Sequence, residues 1–175
     1  MNHDSYGDDY IAEILGSVKT VAMVGASANV NRPSYFVMKY LAAKDYTPIP
    51  VNPGLAGKEI LGARVYGALA EVPQPVDMVD VFRNSEAALE VTREAIRLKD
   101  KLGIKVIWMQ LTVRNDAAAT EAEAAGLQVV MNRCPKIEYG RLSGEIGWAG
   151  VNAGVLTSKR AVLGAGLQNQ RLAKR

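Results

Sequence analysis

The residues best placed to do chemistry gather around one turn. Gly25-Ala26-Ser27 follows the apolar run Val21-Ala22-Met23-Val24, and Arg32-Pro33-Ser34 opens the amphipathic segment beyond it. A buried strand that passes through glycine into a helix leaves free backbone N–H groups where a phosphate can sit. The turn reads G-x-S-x-x-V, whereas a dinucleotide fingerprint reads G-x-G-x-x-G. Gly25 fits two readings at this level, a phosphate contact or a tight turn alone.

Two scarce residue types limit what else the chain can do. His3 is the single histidine and lies in a terminus expected to fray, and Cys134 is the single cysteine. A Ser-His-Asp triad, a Cys-His pair and a histidine metal site are thereby argued against within one chain. One cysteine permits no internal disulfide, which fits a reducing compartment. No apolar run approaches the roughly 20 residues of a membrane span, and Met1 to Asp9 lacks the apolar stretch of a signal peptide. These features set the expectation of a cytoplasmic protein that does not engage a membrane.

The net charge of +3 is unevenly spread. Seven of the 21 basic residues but only two of the 18 acidic ones lie from Lys136 onward. The first 135 residues are therefore slightly acidic, and the basic character belongs to the tail. That tail is glycine-rich and lacks interleaved aromatics, which argues against a nucleic-acid interface and for a solvated or partner-contacting segment.

Periodicity supplies the elements that must hold these residues. Asp8 or Asp9 can cap a short helix that places Ile11, Ile14 and Leu15 on one face. Near-continuous apolar runs mark five strands: Thr20 to Val24, Tyr46 to Val51, Val76 to Phe82, Ile104 to Trp108 and Leu127 to Met131. Between them lie a helix after Ser34, a short helix at Ala68 to Glu71, a long helix capped by Asn84 or Ser85 that Gly103 ends, and an alanine-rich helix from Asn115-Asp116 to Gly126. Such alternation predicts an α/β fold, a Rossmann-like, doubly wound, parallel five-stranded sheet in one domain, with the first strand central. Residues 1–135 form that domain and 136–175 a basic extension that wraps it or packs on a second subunit or partner protein.

In this architecture ligands meet the loops after each strand. Those loops carry Gly25, Ala26, Ser27, Asn31 and Arg32, then Asn52, Pro53, Gly54 and Lys58. Further along come Phe82 and Arg83, Trp108, Gln110 and Leu111, and Asn132, Arg133 and Cys134. Three arginines and a lysine with no carboxylate among them suit an anion, phosphate above all. An NAD site would place Asp or Glu at the end of the second strand, where Val51-Asn52-Pro53 stands instead. An NAD(P)-dependent oxidoreductase stays open as an alternative, since Arg or Lys could still suit NADP, as does a nucleic-acid-binding protein acting through the tail. Trp108 reads as core or ligand platform, Asn52 as turn former or ligand contact, and Cys134 as packing thiol or as a thiolate favoured by Arg133.

The motifs V-G-A-S…R-P-S-Y, P-V-N-P, P-V-D-M-V-D-V-F-R, W-M-Q-L and N-R-C-P-K-I-E-Y resemble, in this order, those of the small coenzyme A-binding proteins. These are stand-alone relatives of the CoA-binding domain in the succinyl-CoA synthetase alpha subunit. The likeness covers roughly residues 11 to 140 and implies CoA or acyl-CoA as ligand. By motif, Gly25, Ala26, Ser27, Arg32, Pro33, Ser34, Asn52 and Pro53 would hold the nucleotide and diphosphate, with Phe82 and Arg83 alongside. Trp108, Gln110, Arg133 and Cys134 would line the side reached by the pantetheine arm. Thr112 stands where the family often has glycine. Synthetase catalysis does not carry over, because it needs a second domain with a phosphorylated histidine. With no convincing catalytic machinery in the sequence, the chain is expected to bind CoA or an acyl-CoA as a carrier, sensor or partner module.

Overall fold

The computed structural model describes residues 1–73 and 75–145. Helix α1 (Asp8–Ser17) leads into β1 (Thr20–Val24), α2 (Pro33–Ala43) and β2 (Thr47–Val51). A two-stranded hairpin, β3 (Glu59–Ile60) with β4 (Ala63–Arg64), precedes β5 (Met78–Val81). Helix α3 (Ser85–Leu102), β6 (Val106–Met109), α4 (Asp116–Ala124), β7 (Gln128–Val130) and α5 (Pro135–Leu142) complete the order. The main sheet is parallel throughout and runs β2-β1-β5-β6-β7.

This is the doubly wound α/β fold expected, with one correction of position. β5 occupies the middle of the sheet and β1 lies beside it. The chain leaves β1 toward β2 on one side and continues from β5 toward β7 on the other. The reversal of direction therefore falls between β1 and β5, which opens a crevice at their carboxyl ends.

Two apolar layers cover the sheet. Ala22, Val79, Val81, Ile107 and Met109 pack against α3 and α4, whose Ala88, Ala95, Ala118 and Ala122 are small enough to bring the helices close. Val21, Met23, Met78 and Trp108 face α1, α2 and α5. Local signals place the ends of the elements. The side chain of Asn84 accepts from the Ala87 N–H at 2.9 Å, and that of Asn115 accepts from the Ala118 N–H at 2.9 Å. Gly103, at φ 78°, ends α3 in the left-handed conformation that glycine adopts without strain. The first helix has no side-chain cap: Gly7 holds the N-cap position, in place of Asp8 or Asp9.

Both sheet edges are blocked. On β2, Pro48 and Pro50 stand where an edge strand would offer free N–H groups, and the Pro50 carbonyl accepts from Tyr66 at 3.0 Å. On β7 the work falls to two tyrosines from the N-terminal segment. The Tyr10 hydroxyl meets both the carbonyl and the N–H of Val129 at 3.2 Å, and the Tyr6 hydroxyl accepts from the Met131 N–H at 2.8 Å. The terminus expected to fray is thus fastened to the sheet. His3 joins it, with Nδ1 2.9 Å from the Tyr6 hydroxyl and Nε2 3.3 Å from Glu123.

Helix α5 extends the compact unit beyond the expected boundary at residue 135, for Tyr139 is buried and packs edge-on against Tyr40 and Tyr46. Glu145, bonded to the Tyr40 hydroxyl and paired with Lys44, anchors the chain just past α5. The rest of the extension, with Trp148 and most of its glycines and basic residues, lies outside the described residues. Among those described, no helix is long and apolar enough to cross a membrane.

Candidate functional site

The β1–β5 crevice is built around Gly25. Its φ is 94°, and a Cβ placed there would lie 2.8 Å from the Phe82 carbonyl oxygen and 3.0 Å from Cδ of Arg83. The first loop therefore presses onto the end of β5 at a point only glycine allows. The Gly25 N–H reaches across to the Val51 carbonyl at 2.9 Å, and the Phe82 N–H to that of Val24 at 2.8 Å. Three strand ends meet here.

Side chains then fix the loop from within. Asn52 donates from Nδ2 to the Ala26 carbonyl at 2.7 Å, while its Oδ1 accepts from the Gly54 N–H at 2.9 Å. It caps the single turn that begins at Pro53 and ties that turn to the first loop. The buried Ser34 hydroxyl accepts from the Ser27 N–H at 3.1 Å, and the Ser27 hydroxyl accepts from Asn29 at 3.2 Å. Ser34 and Ala26 are buried, so they shape the loop and offer a ligand little surface. Pro33 starts α2 with φ preset and Arg32 in the N-cap position.

Charge decides what this surface suits. Arg32 and Arg83 are exposed, and among the described residues neither guanidinium forms a hydrogen bond or an ion pair. Two unsatisfied cations thus flank a glycine turn at the start of an 11-residue helix, whose N-terminus adds partial positive charge. No carboxylate stands at the end of β2 to meet a ribose in the NAD manner. The donor set fits a phosphorylated nucleotide.

The second group of expected contacts lies toward β6 and β7 and divides differently. Trp108 has no exposed surface, and its indole N–H donates to the Arg133 carbonyl at 2.8 Å. It cannot meet a ligand, so the expected contact is corrected to support of the loop after β7. Gln110, also buried, donates from Nε2 to both oxygens of Asp80 at 2.9 and 3.0 Å. Asp80 lies wholly buried in mid-strand, and burial pushes its carboxyl up to about 8 despite the Gln110 bonds that lower it. Sequence reasoning gave this residue no role. An Asp within a continuous apolar strand is a signal that could have found it.

Arg133 does not activate Cys134. Its guanidinium stacks over Tyr6 at 5.6 Å and lies 3.7 Å from Glu138. Burial pushes the Cys134 thiol up to about 11, with the Asp80 carboxyl adding to the rise. The thiolate reading is thereby set aside, since at neutral pH this sulfur is a protonated packing group. Cys134 and Arg133 do line a pocket of about 390 Å³ between the starts of α1 and α5, with Leu111 at its mouth. Thr112, at the expected glycine position, adopts φ 69° and donates its N–H to Asn132 Oδ1 at 2.8 Å. The fold keeps the glycine conformation without the glycine.

Comparison with known proteins supplies the lineage. Residues 19–140 match the family model described as a CoA binding domain. The chain belongs to the CoA-binding domain family. The Bacillus subtilis protein YneT is 34% identical over 129 residues, which span 74% of this chain and 91% of YneT. The structure of Prb, a protein redesigned for binding, superposes with a TM-score of 0.74 at 38% identity and covers 80% of this chain and 94% of Prb. A protein from Pyrococcus horikoshii OT3 gives a TM-score of 0.73 at 37% identity, covering 81% of this chain and 96% of its own. The family match supports a CoA-related role, and it begins after α1, which contributes a wall of the Leu111 pocket.

Proposed function

We propose that this chain binds coenzyme A or an acyl-CoA at the β1–β5 crevice and acts as a carrier, sensor or partner module. The observation that carries the reading is the pairing of two unsatisfied guanidiniums, Arg32 and Arg83, with the Gly25 turn pressed against the Phe82 carbonyl. Family membership supports CoA as the phosphate-bearing ligand. Gly25, Ser27 and Arg32 hold the diphosphate side, Asn52 and Pro53 frame the nucleotide, and Arg83 closes over it with Phe82. Gln110 and Trp108 act from behind the surface by holding the loops after β6 and β7.

Ligand-induced stabilisation tests this directly. At a hundredfold excess over its dissociation constant, a ligand that binds only the folded state contributes about 2.7 kcal/mol. For a domain of this size that raises the melting temperature by about 5–10 °C. CoA at millimolar concentration is expected to give this shift, whereas NADPH and a short DNA duplex give none. A shift with NADPH alone would establish the oxidoreductase alternative, and a salt-sensitive shift with the duplex alone the nucleic-acid one.

A further inference from the structure

We infer that the pocket between α1 and α5 receives the acyl end of a CoA thioester and selects acyl groups that carry no charge. The inference rests on the CoA reading of the crevice and adds the class of acyl group. Position is the first argument. The pocket opens among the loops that follow β6 and β7, the same sheet edge as the crevice. Only three strand spacings, about 14 Å, separate β1 from β7, a span that an extended pantetheine arm can cross.

The chemistry of the lining agrees with this position. Ile137 and Leu111, which is 40% exposed, give the pocket its apolar surface, and the buried Ile11 and Cys134 back it. The charges at the rim cancel: Arg141 pairs with Asp8 at 2.9 Å and with Glu138 at 2.8 Å, and Glu138 also lies 3.7 Å from Arg133. Two cations are thus satisfied by two anions, and among the described residues lining the pocket no free positive charge remains to offset a buried carboxylate. A neutral acyl chain gains about fourfold in affinity for each methylene it buries. An acyl group ending in carboxylate loses its water without a partner. The volume of about 390 Å³ is in the range of small-ligand pockets and suits a short or medium chain.

Calorimetric titration of the full chain with CoA, butyryl-CoA and succinyl-CoA tests the inference. Butyryl-CoA is expected to bind at least tenfold more tightly than succinyl-CoA. Leu111→Lys adds a cation at an exposed position and should shift the butyryl-to-succinyl ratio at least fivefold toward succinyl. Because the readout is a ratio within one variant, a general loss of affinity does not imitate it. Equal affinities, a preference for succinyl-CoA, or a ratio unmoved by Leu111→Lys would overturn the acyl pocket while leaving CoA binding intact. Binding of CoA without either thioester would overturn it too. If none of the three binds, the CoA reading itself fails and this inference with it.

Discussion

Asp80 and Gly25 impose opposite constraints on neighbouring strands. Gly25 is held by space, because any side chain there meets the Phe82 backbone at 2.8 Å. Asp80 is held by chemistry, as a carboxyl with no exposure that accepts, among the described residues, from the Gln110 amide. Its folded pKa of about 8 exceeds the ordinary value of about 3.9, so between those pH values the folded state binds more protons than the unfolded one. Stability from this group is then complete below about pH 4 and is lost as pH rises through about 8. Urea unfolding from pH 5 to 9 should show wild type weakening relative to Asp80→Asn, with a slope of up to about 1.4 kcal/mol per pH unit. A difference independent of pH would mean that Asp80 is ionised in the fold. Asp77 has the reverse sign. Burial would raise it, but the Thr20 and Lys19 N–H groups, Lys105 and the Thr20 hydroxyl bring it down to about 2. Its contribution is present above about pH 4 and fades as pH falls through about 2.

At the scale of elements, the edge strands show how a sheet of short strands can block further strand pairing. β2 relies on Pro48 and Pro50, and β7 on the hydroxyls of Tyr6 and Tyr10. Replacing both tyrosines with phenylalanine keeps the stacked rings but removes the hydroxyls. Each loss is expected to cost about 1 kcal/mol in urea unfolding. Light scattering of the double variant should also reveal concentration-dependent association through the opened edge. Unchanged stability together with a monodisperse solution would show that the hydroxyls do not guard β7. Much of the fold was legible in the sequence because strands buried on both faces leave continuous apolar runs, and Asn84, Gly103 and Asn115 mark helix ends. The β3–β4 hairpin, with two residues in each strand, is too short to leave a period. Helix α5 begins at a proline within a polar stretch, and only its packing against α1 and α2 makes it part of the core.

On the scale of the whole molecule, the site divides by how far apart in sequence its parts lie. The crevice half was legible, since the loops after β1, β2 and β5 carry Gly25, Asn52 and Arg83 in order along the chain. The structure changed the roles of some members: Ser34 supports the loop from inside, and Trp108 holds the Arg133 carbonyl. Trp108 could not be resolved from sequence because a strand covered on both faces gives no alternation to show which end meets solvent. The acyl pocket was hidden for a different reason. It joins Tyr6 and Ile11 to Arg133 and Cys134, residues more than a hundred positions apart that only the docking of α1 brings together.

In the proposed binding mode, an unsatisfied cation beside the Gly25 turn holds the phosphates of CoA. Arg32 is the decisive residue, being exposed and without a hydrogen bond or ion pair among the described residues, so its removal should leave the fold intact. A charge-assisted contact is worth about 1.5–3 kcal/mol, which corresponds to a roughly ten- to hundredfold change in affinity. Calorimetric titration of CoA into wild type and Arg32→Ala measures this most directly. Arg32→Ala is expected to bind CoA more weakly by that factor, at unchanged melting temperature without ligand. CoA binding of equal strength to both proteins would contradict it and move the phosphate site away from the β1–β5 crevice.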